Sequence, residues 1–371
     1  MTKLWILLAV SLVFARLIDG RDQHFRAIGS RQHDRILTLI LAMILVFFCG
    51  LRIWGNDTHE YLEVYTHLVP PLEELTPEHT PSFSSGFLFF YVGSALKSLN
   101  FSNQDFLMFF AFLTVIPYFM FVRRYSKILV FGVFLMFATG FYTFSLAAIK
   151  QCSATALCLI AVSCYLSKKY LLYFLLVGVA CLFHPYAIVY LLVPLLDFKP
   201  WSGKTLTYVI IFAAAGFFLE RLLGTVLDIT DMMGAKYDES SFIGEGVNIF
   251  RVMVSLVPMI IGLFYGKNMF EHTSRTENLM FNMAMLNGLI MFVGLFGTAN
   301  YFARLANYFL PAQVIILPCL LYRTHPKDRK WLVPLCIVGY LGYFYYENAI
   351  IRPFDSGYAH ASFWDYIRTL Y

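Results

Sequence analysis

The sequence predicts an all-α polytopic membrane protein, and three observations carry that prediction. Hydrophobic residues make up 59% of the 371 and charged residues only 14%, against about 25% charge in a soluble domain. Mean hydropathy is +0.66. The apolar residues fall in runs of span-like length, separated by short basic loops and two longer acidic ones, the pattern of helices crossing a bilayer. No short-period repeat and no separate soluble stretch interrupts it, so residues 1–371 read as one integral membrane domain.

Other classes fall away on the same grounds. The net charge of +5 is no nucleic-acid signal, because the basic residues sit in short loops between apolar runs. The seven cysteines lie inside apolar segments with no C-x-x-C pair, so they read as small packing residues and not as disulfides or a metal site. Aromatic residues, 18% of the chain, suit interfacial belts and sugar-facing cavities.

Lengths place the spans and the loop charges orient them. Residues 4–18 form a short retained first span, not a removed signal, because no small-residue cleavage site follows. The arginines of 19–35 put that loop inside and the N-terminus outside. Residues 36–51 return outward to loop 52–85, rich in Asp and Glu. Residues 86–99 are marginal in length and contain Gly86 and Gly93, so they read as a re-entrant or interfacial helix. Spans 105–122, 128–146 and 149–166 follow. Stretch 171–196 is split by His184-Pro185, since proline breaks the backbone ladder and turns the residue before it from helical geometry. Two short helices meeting at His184 near the outer face fit the loop charges; a single kinked span competes. Spans 206–227, 250–266, 279–299, 305–322 and 331–346 complete about twelve crossings, with acidic loop 228–248 and both termini outside.

The predicted topology puts Arg52, Lys150, His184, Arg251 and Arg304 at or near one outer membrane level. Arg52, Gly55, Asp57 and Tyr61 open the first acidic loop. Lys150-Gln151 begin a span, His184 marks a break, Arg251 stands at a span lip, and Arg304 and Tyr308 follow in one short segment. Charged groups at membrane depth are costly and mark functional sites by default. The competing reading for each arginine is snorkelling to the interface, for Asp57 a helix N-cap, and for His184 a hydrogen-bonding group at a break.

These patches resemble the EpsG-type branch of bacterial polysaccharide polymerases, similar to the Wzy polymerases of O-antigen, capsule and exopolysaccharide assembly. The run R-x-x-x-G-x-D-x-x-x-Y is met at Arg52, Gly55 (one position early), Asp57 and Tyr61. Lys150-Gln151 and Leu182-Phe-His184 stand where that branch has an arginine-glutamine start and an L-F-H segment. Lys236-Tyr237 and Arg304-Leu-Ala-Asn-Tyr308 match its later patches. The chain departs from the pattern at Asn56, Thr58, Lys150 and Pro185. Lysine in particular gives a point-charge contact with phosphate where arginine gives a planar fork.

The resemblance implies a multi-pass enzyme of the bacterial cytoplasmic membrane that polymerises undecaprenyl-diphosphate-linked repeat units on the outer face. It implies no metal and no cofactor. Partners would be the lipid-linked glycan, the bilayer and the flippase and chain-length regulator of the pathway, with no nucleic acid. His184 and Asp57 are the expected catalytic residues. Arg52, Tyr61, Lys150, Gln151, Tyr237, Arg251, Arg304 and Tyr308 are the expected substrate contacts. The rival readings are a flippase or transporter for the same units, which would call for an inverted repeat, another membrane glycosyl- or acyltransferase, and a non-catalytic assembly partner.

Overall fold

The protein is described by a computed structural model covering residues 1–28, 35–53, 55–76, 86–218, 246–297, 299–355 and 357, without the side chains of 21–28, 299 and 300. It is helical, with no strand among the described residues. Two helices, Asn103–Tyr125 and Ile149–Leu166, are each long and apolar enough to cross a membrane, and several apolar helices of 10–17 residues accompany them.

Helix α1 (Thr2–Ile28) runs well past the predicted end of the first span at 18. The charged residues beyond that point do not end it, because Asp19 has a structural use. Its carboxylate accepts the backbone N–H groups of Leu129 (3.0 Å) and Val130 (2.9 Å), the orphan donors at the start of another helix. Helix α2 (Arg35–Gly50) matches the predicted second span, and α3 (Thr58–Glu63) lies in the first acidic loop. Helix α4 (Phe87–Ser98) has 12 residues, about 18 Å at about 1.5 Å per residue, well short of a hydrocarbon core of about 30 Å.

Helix α5 (Asn103–Tyr125) starts at a capping box between Ser102 and Asp105. The predicted span 128–146 is corrected: α6 (Leu129–Ala138) stops, and only a single turn, α7 (Phe141–Phe144), follows. Between them Gly140 has φ +84, a left-handed conformation that ends a helix and favours glycine. Helix α8 (Ile149–Leu166) has the predicted bounds.

Stretch 171–196 folds back on itself. Helix α9 (Tyr170–Phe183) ends at His184, whose φ −155 and ψ 116 are extended, and a 3-10 helix (Pro185–Leu196) follows. The Tyr173 hydroxyl donates to the carbonyl of Tyr190, and Tyr165, before the start of α9, reaches Asp197 beyond the end of the 3-10 helix (2.9 Å). Both outer ends of the stretch therefore lie together, away from His184, which is the two-segment reading.

Helices α10 (Gly203–Phe217), α11 (Ile249–Tyr265) and α12 (Arg275–Val293) come next. The predicted loop 300–304 and span 305–322 are corrected to α13 (Ala299–Asn307) and α14 (Leu310–Arg323), bent by 56° at the break between them. Pro311 lacks a backbone donor and steers the chain before it out of a continuous helix. Side chains reach the carbonyls at the break: Asn287 donates to Ala306 (2.7 Å), which also accepts the N–H of Phe309 (2.8 Å), and Tyr190 donates to Tyr308 (2.7 Å). Helix α15 (Pro326–Tyr345) leads to a short wide turn, Tyr346–Ile351.

Polar contacts sort the connections into two ends. At one, Glu277 holds Lys127 (2.8 Å) and Arg323 (3.1 Å), Asp197 holds Arg275 (2.6 Å), and Tyr265 donates to Asp328 (2.6 Å). These contacts gather the connections that the sequence marks as basic. At the other end the Met1 ammonium donates to Phe354 (3.2 Å), the ring of Phe354 stacks on Phe48, and Ile53 N–H donates to Gly357 (2.8 Å). The chain start and the described part of the tail thus meet beside Arg52.

Candidate functional site

The site forms where helices break, because a break leaves backbone polar groups and helix ends inside an otherwise apolar body. His184 occupies the break between α9 and the 3-10 helix, half-buried. Its Nδ1 lies 3.0 Å from the hydroxyl of Tyr308, the residue at the break between α13 and α14. The rings of His184 and Tyr186 pack edge to face at 5.0 Å, and Tyr186 packs likewise on Tyr301 (5.4 Å). The hydroxyl of Tyr190 donates to the Tyr308 carbonyl, so the two breaks are bound to each other.

Lys150 and Arg304 converge on this junction, both within electrostatic range of His184. Lys150 is in the first turn of α8, its ammonium 5.2 Å from the centre of the Phe89 ring. Its neighbour Gln151 is buried and donates through Nε2 to the Arg304 carbonyl (2.6 Å), which ties α13 to the start of α8. The Arg304 side chain is exposed. Gly86 closes the other flank with φ +87; a Cβ there would stand 3.1 Å from Lys150 Cδ and from the Phe183 carbonyl. Only glycine admits that approach, and it brings the start of α4 against the His184 break. The N-termini of α4, α8, α14 and the 3-10 helix are thus neighbours. Their positive dipole ends, together with Lys150 and Arg304, make an anion-favouring surface.

The first acidic loop supplies a further wall. The Tyr61 ring packs on Phe89 (5.6 Å), and its hydroxyl is set against the backbone of Lys150, within electrostatic range of Arg304. Burial, reinforced by the Asp57 carboxylate, pushes the Tyr61 phenol well above its ordinary range, so it stays a donor at neutral pH. Asp57 itself is exposed at the start of α3 and makes no side-chain capping bond.

The remaining expected residues lie differently. Arg52 is buried, 2% exposed, and its guanidinium is spent inward: Nε donates to Thr58 (2.9 Å) and Nη1 to the Cys49 carbonyl. It shapes the turn that presents Asp57 and does not snorkel. Arg251 forms a two-pronged pair with Glu347 (2.8 and 2.6 Å), joining α11 to the turn after α15. Tyr237, with Lys236, lies outside the described residues. Sequence reasoning missed Glu347, Gly86, Phe89, Tyr190 and Asn287. Only Asn287 carried a signal, as an amide inside an apolar span.

The Arg251–Glu347 geometry has a testable consequence. Either Arg251→Ala or Glu347→Ala leaves a half-buried charge without its partner, at a cost of about 3 kcal/mol. Both variants are expected to lose thermal stability in detergent and cellular abundance, with normal glycan length per surviving molecule. Normal stability of Arg251→Ala combined with shortened glycan would place Arg251 on the substrate instead.

A model of the EpsG family matches residues 35–362, nearly the whole chain, and that family is related to the Wzy-like polysaccharide polymerases. No curated protein and no solved structure matches the chain.

Proposed function

The chain belongs to the EpsG family, whose role is exopolysaccharide-related polymerisation in a membrane, and from that premise we propose that it joins undecaprenyl-diphosphate-linked oligosaccharide units into a longer glycan. The reaction is a glycosyl transfer. The acceptor hydroxyl oxygen bonds to the anomeric carbon of the growing chain, and the bond from that carbon to the diphosphate breaks with its electron pair on the diphosphate. The acceptor proton passes to a side-chain base, so the balance needs no other reactant.

One observation carries the reading: Lys150, Arg304 and several helix N-termini surround the His184 break. A departing diphosphate gains negative charge in the transition state, and fixed positive groups at that point stabilise it more than they stabilise the bound substrate. Arg304 can also grip phosphate oxygens in a planar fork. Asp57 and His184 are the groups suited to the proton and the leaving group, and the half-buried Tyr61 offers a surface on which a sugar ring can stack.

This reading sets the protein in the bacterial cytoplasmic membrane, with about twelve crossings, both termini outside and the site at the outer face. A cysteine placed at position 240 of a cysteine-free variant is expected to label from outside in intact cells. Labelling only after permeabilisation would invert everything after His184.

Broken helices with paired N-termini also suit a transporter of the same lipid-linked unit. Purified protein given lipid-linked repeat units in detergent, with no second compartment, separates the two. A ladder of products longer than one unit is the polymerase result, and unchanged single units would leave the transporter.

A further inference from the structure

The hydrogen bond between Tyr308 and His184 assigns a direction to its proton, and with it a role to the histidine. The Tyr308 side chain is wholly buried, and among the described residues its hydroxyl meets only His184 Nδ1, at 3.0 Å. A phenol and a neutral imidazole nitrogen can share this contact in two ways. If Nδ1 carried the proton and donated to the phenol oxygen, the phenol's own hydrogen would be left buried without an acceptor, costing about 1–3 kcal/mol. If the phenol donates to Nδ1, every buried donor is satisfied and the imidazole proton sits on Nε2. That nitrogen has no partner among the described residues and is not one of their buried unpaired atoms, so its N–H is open to water or to a ligand.

We infer that Tyr308 is a positioning residue that locks His184 as the neutral Nε2–H tautomer, so that His184 donates a hydrogen bond to the departing diphosphate and does not remove the acceptor proton. The inference rests on the polymerase reading for the identity of that ligand and on geometry alone for the tautomer. The acceptor proton then goes to Asp57, and His184 neither gains nor loses one through the reaction. The electron pair of the broken bond stays on the diphosphate, where the Nε2–H meets it as one more fixed donor.

The test uses the full-length protein in lipid nanodiscs with ¹⁵N-labelled histidine, read by long-range proton–nitrogen NMR. His184→Gln assigns the His184 signals among the nine histidines. The expected spectrum shows a neutral ring protonated at Nε2. In Tyr308→Phe the ring is expected to populate both tautomers, and kcat to fall about 3–10-fold with KM unchanged, the worth of one hydrogen bond. Tyr190→Phe removes a donor to the Tyr308 carbonyl but not the phenol, and should leave the tautomer as it was.

The two carboxamide replacements give an independent arm. Gln at 184 reaches the position of Nε2 with an N–H donor and should keep polymerisation within about tenfold. Asn reaches only as far as Nδ1 and should lose about 100-fold, as when an oxyanion donor is removed. A proton on Nδ1, or Gln as inactive as Asn, overturns the inference. The NMR readout needs no substrate. A Nε2–H ring in a protein that polymerises nothing refutes the reaction and spares the pairing, whereas an Nδ1–H ring in an active polymerase does the reverse.

Discussion

Changing Asp57 to asparagine is expected to slow polymerisation by about 100-fold or more, the scale of a positioned general base, while abundance and helix content stay normal. The substitution isolates proton chemistry because the local structure gives the carboxylate no other task. Asp57 stands at the first position before α3 but makes no capping bond, and asparagine caps a helix about as well as aspartate. The turn that presents it is held from within, by Arg52 donating to Thr58 and Cys49, so it does not depend on the Asp57 charge. The loss should fall on kcat, and lipid-linked single units should accumulate. A wild-type rate in Asp57→Asn would make it an ordinary loop residue and return the base to His184.

The second large effect is expected at Lys150. Replacing it with methionine keeps an unbranched apolar stem of similar reach between Gly86 and Phe89 and removes the charge together with the ammonium's hydrogen-bond donors. If that charge meets the departing diphosphate, kcat should fall about 100–1,000-fold, the cost of losing one preorganised stabilising group. Lys150→Arg should restore most of the rate, since it returns the charge with a phosphate-matched fork. Arg304→Lys, which keeps the charge but not the fork, should give shorter chains and not a dead enzyme. Equal chain length in wild type and Lys150→Met, measured with purified protein and lipid-linked units, would reduce Lys150 to a packing residue.

The composition and the run lengths were enough to make this an all-helical, apolar chain, because helix periodicity and transfer free energy are local properties. They located α2, α8 and α11 almost to the residue. They also marked the break at His184, since the effect of proline on its own helix needs no tertiary partner. The breaks at Gly140 and at Tyr308–Phe309 were not legible in the same way. Glycine inside an apolar run is compatible with a helix until packing selects a positive φ. The carbonyl freed at Tyr308 is satisfied by the hydroxyl of Tyr190, distant in sequence, and Asn287 adds a second donor at Ala306.

The candidate site divides along the same line. The sequence by itself determined which residue types are costly at membrane depth, and so nominated Arg52, Lys150, His184, Arg251 and Arg304; Asp57 and Tyr61 were nominated with the family resemblance of the run they stand in. It carried nothing on what each would face. Only the tertiary structure turned Arg52 inward to Thr58, committed Arg251 to Glu347, and set Lys150 and Arg304 about one histidine. It alone placed the Tyr308 hydroxyl against Nδ1 across 124 residues of chain. The reason is range: a desolvation cost belongs to one side chain and is written at its position, but a hydrogen bond or an ion pair belongs to two, and their meeting is decided by how the helices between them pack.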